Sequence, residues 1–92
     1  MRIIGDIPHP NFKITVFKMD NRLSIKFESG LNEQTYKFRT SNELQGFSDV
    51  ERLIDGEFLD KVQESFIHIE KAKNGVISRF YPKMREEFEE II

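Results

Sequence analysis

The chain contains no cysteine and no tryptophan, only two histidines, and five glycines scattered singly among 92 residues. Without thiols there is no disulfide framework, no thiolate zinc site and no iron–sulfur cluster. Dispersed glycines leave no phosphate-cradling loop, and neither a nucleophile elbow nor a metalloprotease histidine pair occurs. No apolar run approaches the roughly 18 residues of a membrane span. The opening Met1-Arg2-Ile3-Ile4-Gly5-Asp6 meets an acidic residue too early for a signal peptide. A cytoplasmic location is therefore expected, with no membrane partner, no cofactor and no bound metal. An excess of one charge sign is missing too. Fourteen basic and sixteen acidic residues give a net charge of −2, which excludes a whole-surface polyelectrolyte binder but leaves room for a local patch.

What is present points to a folded domain. Charged residues make up 33% and aromatics 12%, with nine phenylalanines, whereas a disordered chain has few aromatics and one-sided charge. A chain of this length fills one core, so residues 1–92 are expected to form a single domain.

The order along the chain is a β half followed by an α half. In 11–19, Phe12, Ile14 and Val16 alternate with Lys13, Thr15 and Phe17, a strand pattern. Asp20-Asn21 suits a tight turn, since both residues tolerate left-handed backbone. Residues 22–28 alternate Leu23, Ile25 and Phe27 with Ser24, Lys26 and Glu28, and Ser29-Gly30 breaks the run. Residues 34–40 carry Tyr36 and Phe38 against Thr35, Lys37 and Arg39. Short connections make these three strands an antiparallel meander. A fourth, N-terminal edge strand is a candidate over 2–4, ahead of the stiff Pro8-His9-Pro10.

The helical half begins at Ser48, whose spacing to Glu51 fits a capping box, and predicts a short helix over 49–54. After Asp55-Gly56 a second helix is predicted over 57–73, with Phe58, Leu59, Val62, Phe66, Ile69 and Ala72 in one arc of about 140°. Asn74-Gly75 supplies a left-handed stop. Ile77, Phe80, Met84, Phe88 and Ile91 keep a helical period across Pro82. Proline favours helix starts, so an extended 76–81 followed by a helix from about 82 is preferred to one kinked helix from 76. The expected fold is α+β: a three- or four-stranded meander covered on one face by two to three helices.

Charge divides with the architecture. Residues 1–46 hold seven basic and five acidic side chains, and residues 47–92 hold seven basic and eleven acidic. Alternation puts Lys13, Thr15, Phe17, Met19, Ser24, Lys26, Glu28, Thr35, Lys37 and Arg39 on the sheet face away from the helices. A basic, partly aromatic open sheet can bind nucleic acid, because rings stack on bases while cations meet phosphates. Phe17 is a single ring, however, and the RNP aromatic motif is absent. An ordinary solvated face is the plain alternative, and exposed Phe17 and Met19 as a protein contact is a third.

Asp6 and His9, held between prolines, could form a carboxylate–imidazole pair for general base catalysis, as in a small hydrolase or metal-dependent enzyme. No nucleophile accompanies them and two histidines make a weak ligand set, so a stiff structural loop is the favoured reading. His68 is expected to sit half-buried beside Glu64. Glu86, Glu87, Glu89 and Glu90 read as a solvated helix face.

The stretch Ile4-Gly5-Asp6-Ile7-Pro8-His9-Pro10, with Lys13-Ile14-Thr15-Val16-Phe17 and Glu33-Gln34-Thr35-Tyr36-Lys37, resembles a group of small bacterial proteins of unknown function. The resemblance covers about the first 40 residues. It implies a bacterial cytoplasmic protein and carries over no catalytic residue. The expectation is a non-enzymatic binding domain whose partner is a protein or a second copy of the chain. Its contact residues would be Pro8, His9, Pro10, Phe17, Met19, Lys26, Lys37 and Arg39.

Overall fold

A computed structural model describes residues 1–81. Four strands come first: β1 (Arg2–Ile7), β2 (Lys13–Met19), β3 (Arg22–Ser29) and β4 (Asn32–Arg39). They form one antiparallel sheet in the order β1-β2-β3-β4. Both inner hairpins close through two-residue turns that need left-handed backbone. Asp20 takes φ 51° in the first and Gly30 takes φ 60° in the second. Two helices follow, α1 (Phe47–Leu53) and α2 (Gly56–Phe80).

The core lies between the helices and one sheet face. Ile14, Val16, Leu23, Ile25 and Phe27 are fully buried there, beneath Val50 of α1 and Val62 and Phe66 of α2. Aromatic rings tie the layers together. Phe27 meets Tyr36 and Phe58 edge-on at 5.8 and 5.7 Å, and Phe12 lies 5.3 Å from Phe66. Such pairs favour tilted and T-shaped geometry because the ring face is negative and its edge positive. Polar links fix where α2 sits. Gln34 donates through Nε2 to the Val62 carbonyl at 3.0 Å, and the Tyr36 hydroxyl donates to Gln34 Oε1. Farther along, the Asn32 amide donates to Glu70 and accepts from Lys73 Nζ at 2.8 Å.

The N-terminal strand is real and longer than the 2–4 expected, reaching Ile7. Its register against β2 shifts at Ile4, so that Ile3 faces Phe17 while Gly5 faces Val16. This bulge brings Gly5 under α1. A Cβ at Gly5 would lie 2.6 Å from Phe47 Cδ1, so only glycine lets the ring rest on the strand backbone.

Both helices depart from their expected limits. α1 starts at Phe47, before the expected 49, and its cap is not the Ser48–Glu51 pair. Asp49 instead accepts from the Gln45 and Gly46 N–H groups at 2.9 and 3.1 Å. The earlier start lets Phe47 reach Gly5 and buries Val50. α2 begins on Asp55, whose carboxylate accepts from Phe58 N–H at 2.8 Å. It then runs through Asn74-Gly75 to Phe80, so the stop at 74–75 and the extended 76–81 are both overturned. A glycine within a helix costs about 1 kcal/mol relative to alanine, less than the hydrogen bonds of the turn that follows. Tyr81 N–H still closes on the Ile77 carbonyl at 2.9 Å. Ala72, assigned to the apolar arc, is exposed. The expected helix from 82, with Met84, Phe88, Ile91 and the Glu86–Glu90 cluster, lies outside the described residues. Among the described residues no helix is long and apolar enough to cross a membrane.

Candidate functional site

Both helices lie on one side of the sheet, and among the described residues no helix covers the other. Strand register arranges the open face in cross-strand rows. Lys13, Glu28 and Glu33 lie at one end, followed by Thr15, Lys26 and Thr35, with Asp6 beside Thr15. Ile3, Phe17, Ser24 and Lys37 form the next row, and Met19, Arg22 and Arg39 close the other end. The two ends therefore differ in sign.

Phe17 is the centre of this surface. It is half-buried although no helix among the described residues covers it, and the Lys26 ammonium stands 5.5 Å from its ring centroid. That is a cation–π contact, worth roughly 0.5–1 kcal/mol at an exposed site. Lys26 also pairs with Glu28 at 3.1 Å, so its charge is partly compensated. Around the ring lies a shallow depression of about 330 Å³ lined by Met1, Phe17, Ser24, Lys26, Thr35 and Lys37. Ser24, which lines it, and Thr15 on the same face are buried among longer side chains.

The basic end carries an imbalance. Arg22 stands directly opposite Arg39, both exposed, and Lys37 follows on the same face. Like charges placed directly across strands destabilise a sheet. Among the described residues none of these three cations belongs to an ion pair. Next to them Met19 and Ile3 present apolar surface at 41% and 61% exposure.

Of the residues singled out from sequence, Phe17, Met19, Lys26, Lys37 and Arg39 share this face. The Pro8-His9-Pro10 loop does not join them. His9 stacks on Phe12 at 4.7 Å, and Phe12 packs inward against Phe66. The loop also follows Ile7, at the Lys13 end of the strands, about 20 Å along β2 from Met19. His9 Nδ1 accepts from the Asn11 N–H at 3.1 Å, which closes the turn into β2. Arg22 joins the face by the same alternation as Ser24 and Lys26, and Ile3 is a site residue that alternation alone does not reveal. The bulge at Ile4 is what sets Ile3 against Phe17, and no local pattern marks it.

Asp6, His9 and His68 are not linked by any hydrogen bond or ion pair among the described residues. His68 is exposed, and Glu64, its expected neighbour, pairs with Lys61 at 3.5 Å. No group of three or more His, Asp or Glu able to hold a metal occurs among the described residues. No protein-family model, curated protein or solved structure matches this chain.

Proposed function

We propose that this protein is a small non-enzymatic binding domain that acts through macromolecular contacts on the open face of its sheet. The observation that carries the reading is the juxtaposition of Phe17, Met19 and Ile3 with Arg22, Lys37 and Arg39, cations that have no ion pair among the described residues. An apolar centre flanked by cations at its Arg22–Arg39 end suits a protein surface that offers apolar side chains beside carboxylates. The partner is a protein, either a different chain or a second copy of this one. The cysteine-free composition goes with a cytoplasmic setting.

The test compares proteins retained from the native host by the wild type and by a Phe17→Ser, Lys37→Glu variant, identified by mass spectrometry. Proteins held by the wild type and lost by the variant, with circular dichroism unchanged, support the reading. Identical retention by both overturns it. Fluorescence anisotropy with single-stranded RNA or DNA runs alongside. Binding that weakens steeply with salt and vanishes in the variant would replace the protein partner with a nucleic acid.

A further inference from the structure

The two edges of the sheet are built differently. β1 is bulged at Ile4, packed by Phe47 at Gly5, and followed by Pro8 and Pro10. These are the features that blunt an edge against pairing. β4 has neither bulge nor proline, and α2 reaches it through the helix-side residues Asn32, Gln34 and Tyr36. The eight residues of β4 pair with β3 in unbroken register from Asn32 to Arg39.

Strand geometry settles which backbone groups β4 leaves open. Asn32 lies across the two-residue turn from Ser29, and Thr40 N–H donates to the Asn21 carbonyl at 2.9 Å. Even-numbered residues therefore turn their N–H and C=O toward β3, and Glu33, Thr35, Lys37 and Arg39 turn theirs outward. No hydrogen bond among the described residues takes up these outward backbone groups.

The side chains of the same residues are self-complementary. Within the β3–β4 hairpin, Glu33 faces Glu28 at one end and Arg39 faces Arg22 at the other. Both are like-charge pairs. Glu28 is relieved by Lys26, whereas Glu33 and Arg39 have no ion pair among the described residues. A second β4 laid antiparallel, with Tyr36 opposite Tyr36, puts Glu33 of each copy beside Arg39 of the other and Thr35 beside Lys37. Every outward backbone group then finds a partner, and each hairpin's unrelieved charge meets its opposite. We infer that the chain forms a two-fold homodimer through β4, joining two four-stranded sheets into one. This goes beyond the open-face reading and uses the sheet edge, so the two can fail separately.

The test measures mass by light scattering and sedimentation of the full chain at roughly 100 μM, where micromolar dimers are populated. The expected mass is twice the 10.9 kDa of one chain. Glu33→Arg and Arg39→Glu should each raise the dimer dissociation constant about tenfold, because each turns two attractive cross-strand pairs repulsive. The double swap Glu33→Arg with Arg39→Glu should restore wild-type dimerisation. Thr35→Pro removes an outward N–H and should yield a folded monomer. If that variant fails to fold, the charge swap still decides. A wild-type monomer at this concentration overturns the inference, as does a dimer indifferent to both single charge reversals or a double swap that fails to restore. Phe17→Ser should leave the mass at two chains, and a dimer lost through Phe17 instead would move the interface to the open face and overturn the edge.

Discussion

The two faces of one sheet share the same strands, yet they are held by different physics. On the helix side Val16, Leu23, Ile25 and Phe27 have no solvent exposure, and their burial comes from a second layer of secondary structure. On the open side Thr15 and Ser24 are also buried, at 5% and 7%, but only by neighbouring side chains. The first kind of burial removes apolar surface from water and drives folding. The second shields small hydroxyl residues at little energetic gain, and it leaves Phe17 available to a partner.

The sharpest way to break this comparison is to remove one ring from each face. Phe27→Ala should cost about 3–5 kcal/mol, since the ring is fully buried and meets Phe12, Tyr36 and Phe58. A domain with roughly 5–15 kcal/mol in total would come close to unfolding. Phe17→Ala should cost no more than about 1 kcal/mol, chiefly its contact with Lys26. Urea denaturation of both variants measures the contrast, and equal losses would abolish it. A smaller effect concerns the roof over the helix-side face. Asp55→Ala removes the cap that starts α2 and should cost about 1 kcal/mol, visible as a lower urea midpoint with an unchanged slope.

The smallest effect is electrostatic. Asp49 accepts hydrogen bonds from the Gln45 and Gly46 backbone and from Arg52, which hold its carboxyl below its ordinary value of 3.8. A carboxyl depressed in the folded state adds stability that is present above the unfolded value and lost as pH falls through the folded one. Asp49→Asn should therefore flatten the decline in stability below about pH 4 and leave the open face unaffected. Thermal melts across that range give the comparison.

Much of this division was legible in the sequence, because strand alternation is a direct record of which side is covered. Phe12, Ile14, Val16, Leu23, Ile25, Phe27, Tyr36 and Phe38 were assigned to the covered face from alternation alone, and they pack there. The turns at Asp20-Asn21 and Gly30 were equally plain, since each demands a left-handed residue. Features set by distant contacts were not legible. Phe47, at the start of α1, packs on Gly5, some 40 residues earlier in the chain. α2 passes Asn74-Gly75 although that dipeptide resembles a stop, because local propensity is weaker than continued helical hydrogen bonding. The Asn32 clamp on Glu70 and Lys73 joins residues that no short-range pattern connects. In the candidate site, face membership could be read residue by residue. The Arg22–Arg39 opposition and the place of Ile3 needed the register.

The bulge at Ile4 also bears on how large an assembly can become. A sheet with two regular edges can add a copy on each side and grow into a ribbon without end. This one has a single regular edge, and the proposed β4 pairing would consume it. The ends left over would both be β1, which is kinked where Ile3 and Gly5 fall out of step and packed by Phe47. In the proposed dimer one misaligned residue would thus hold the valence at one, so that association through strands would end at a closed pair with no site from which a filament elongates.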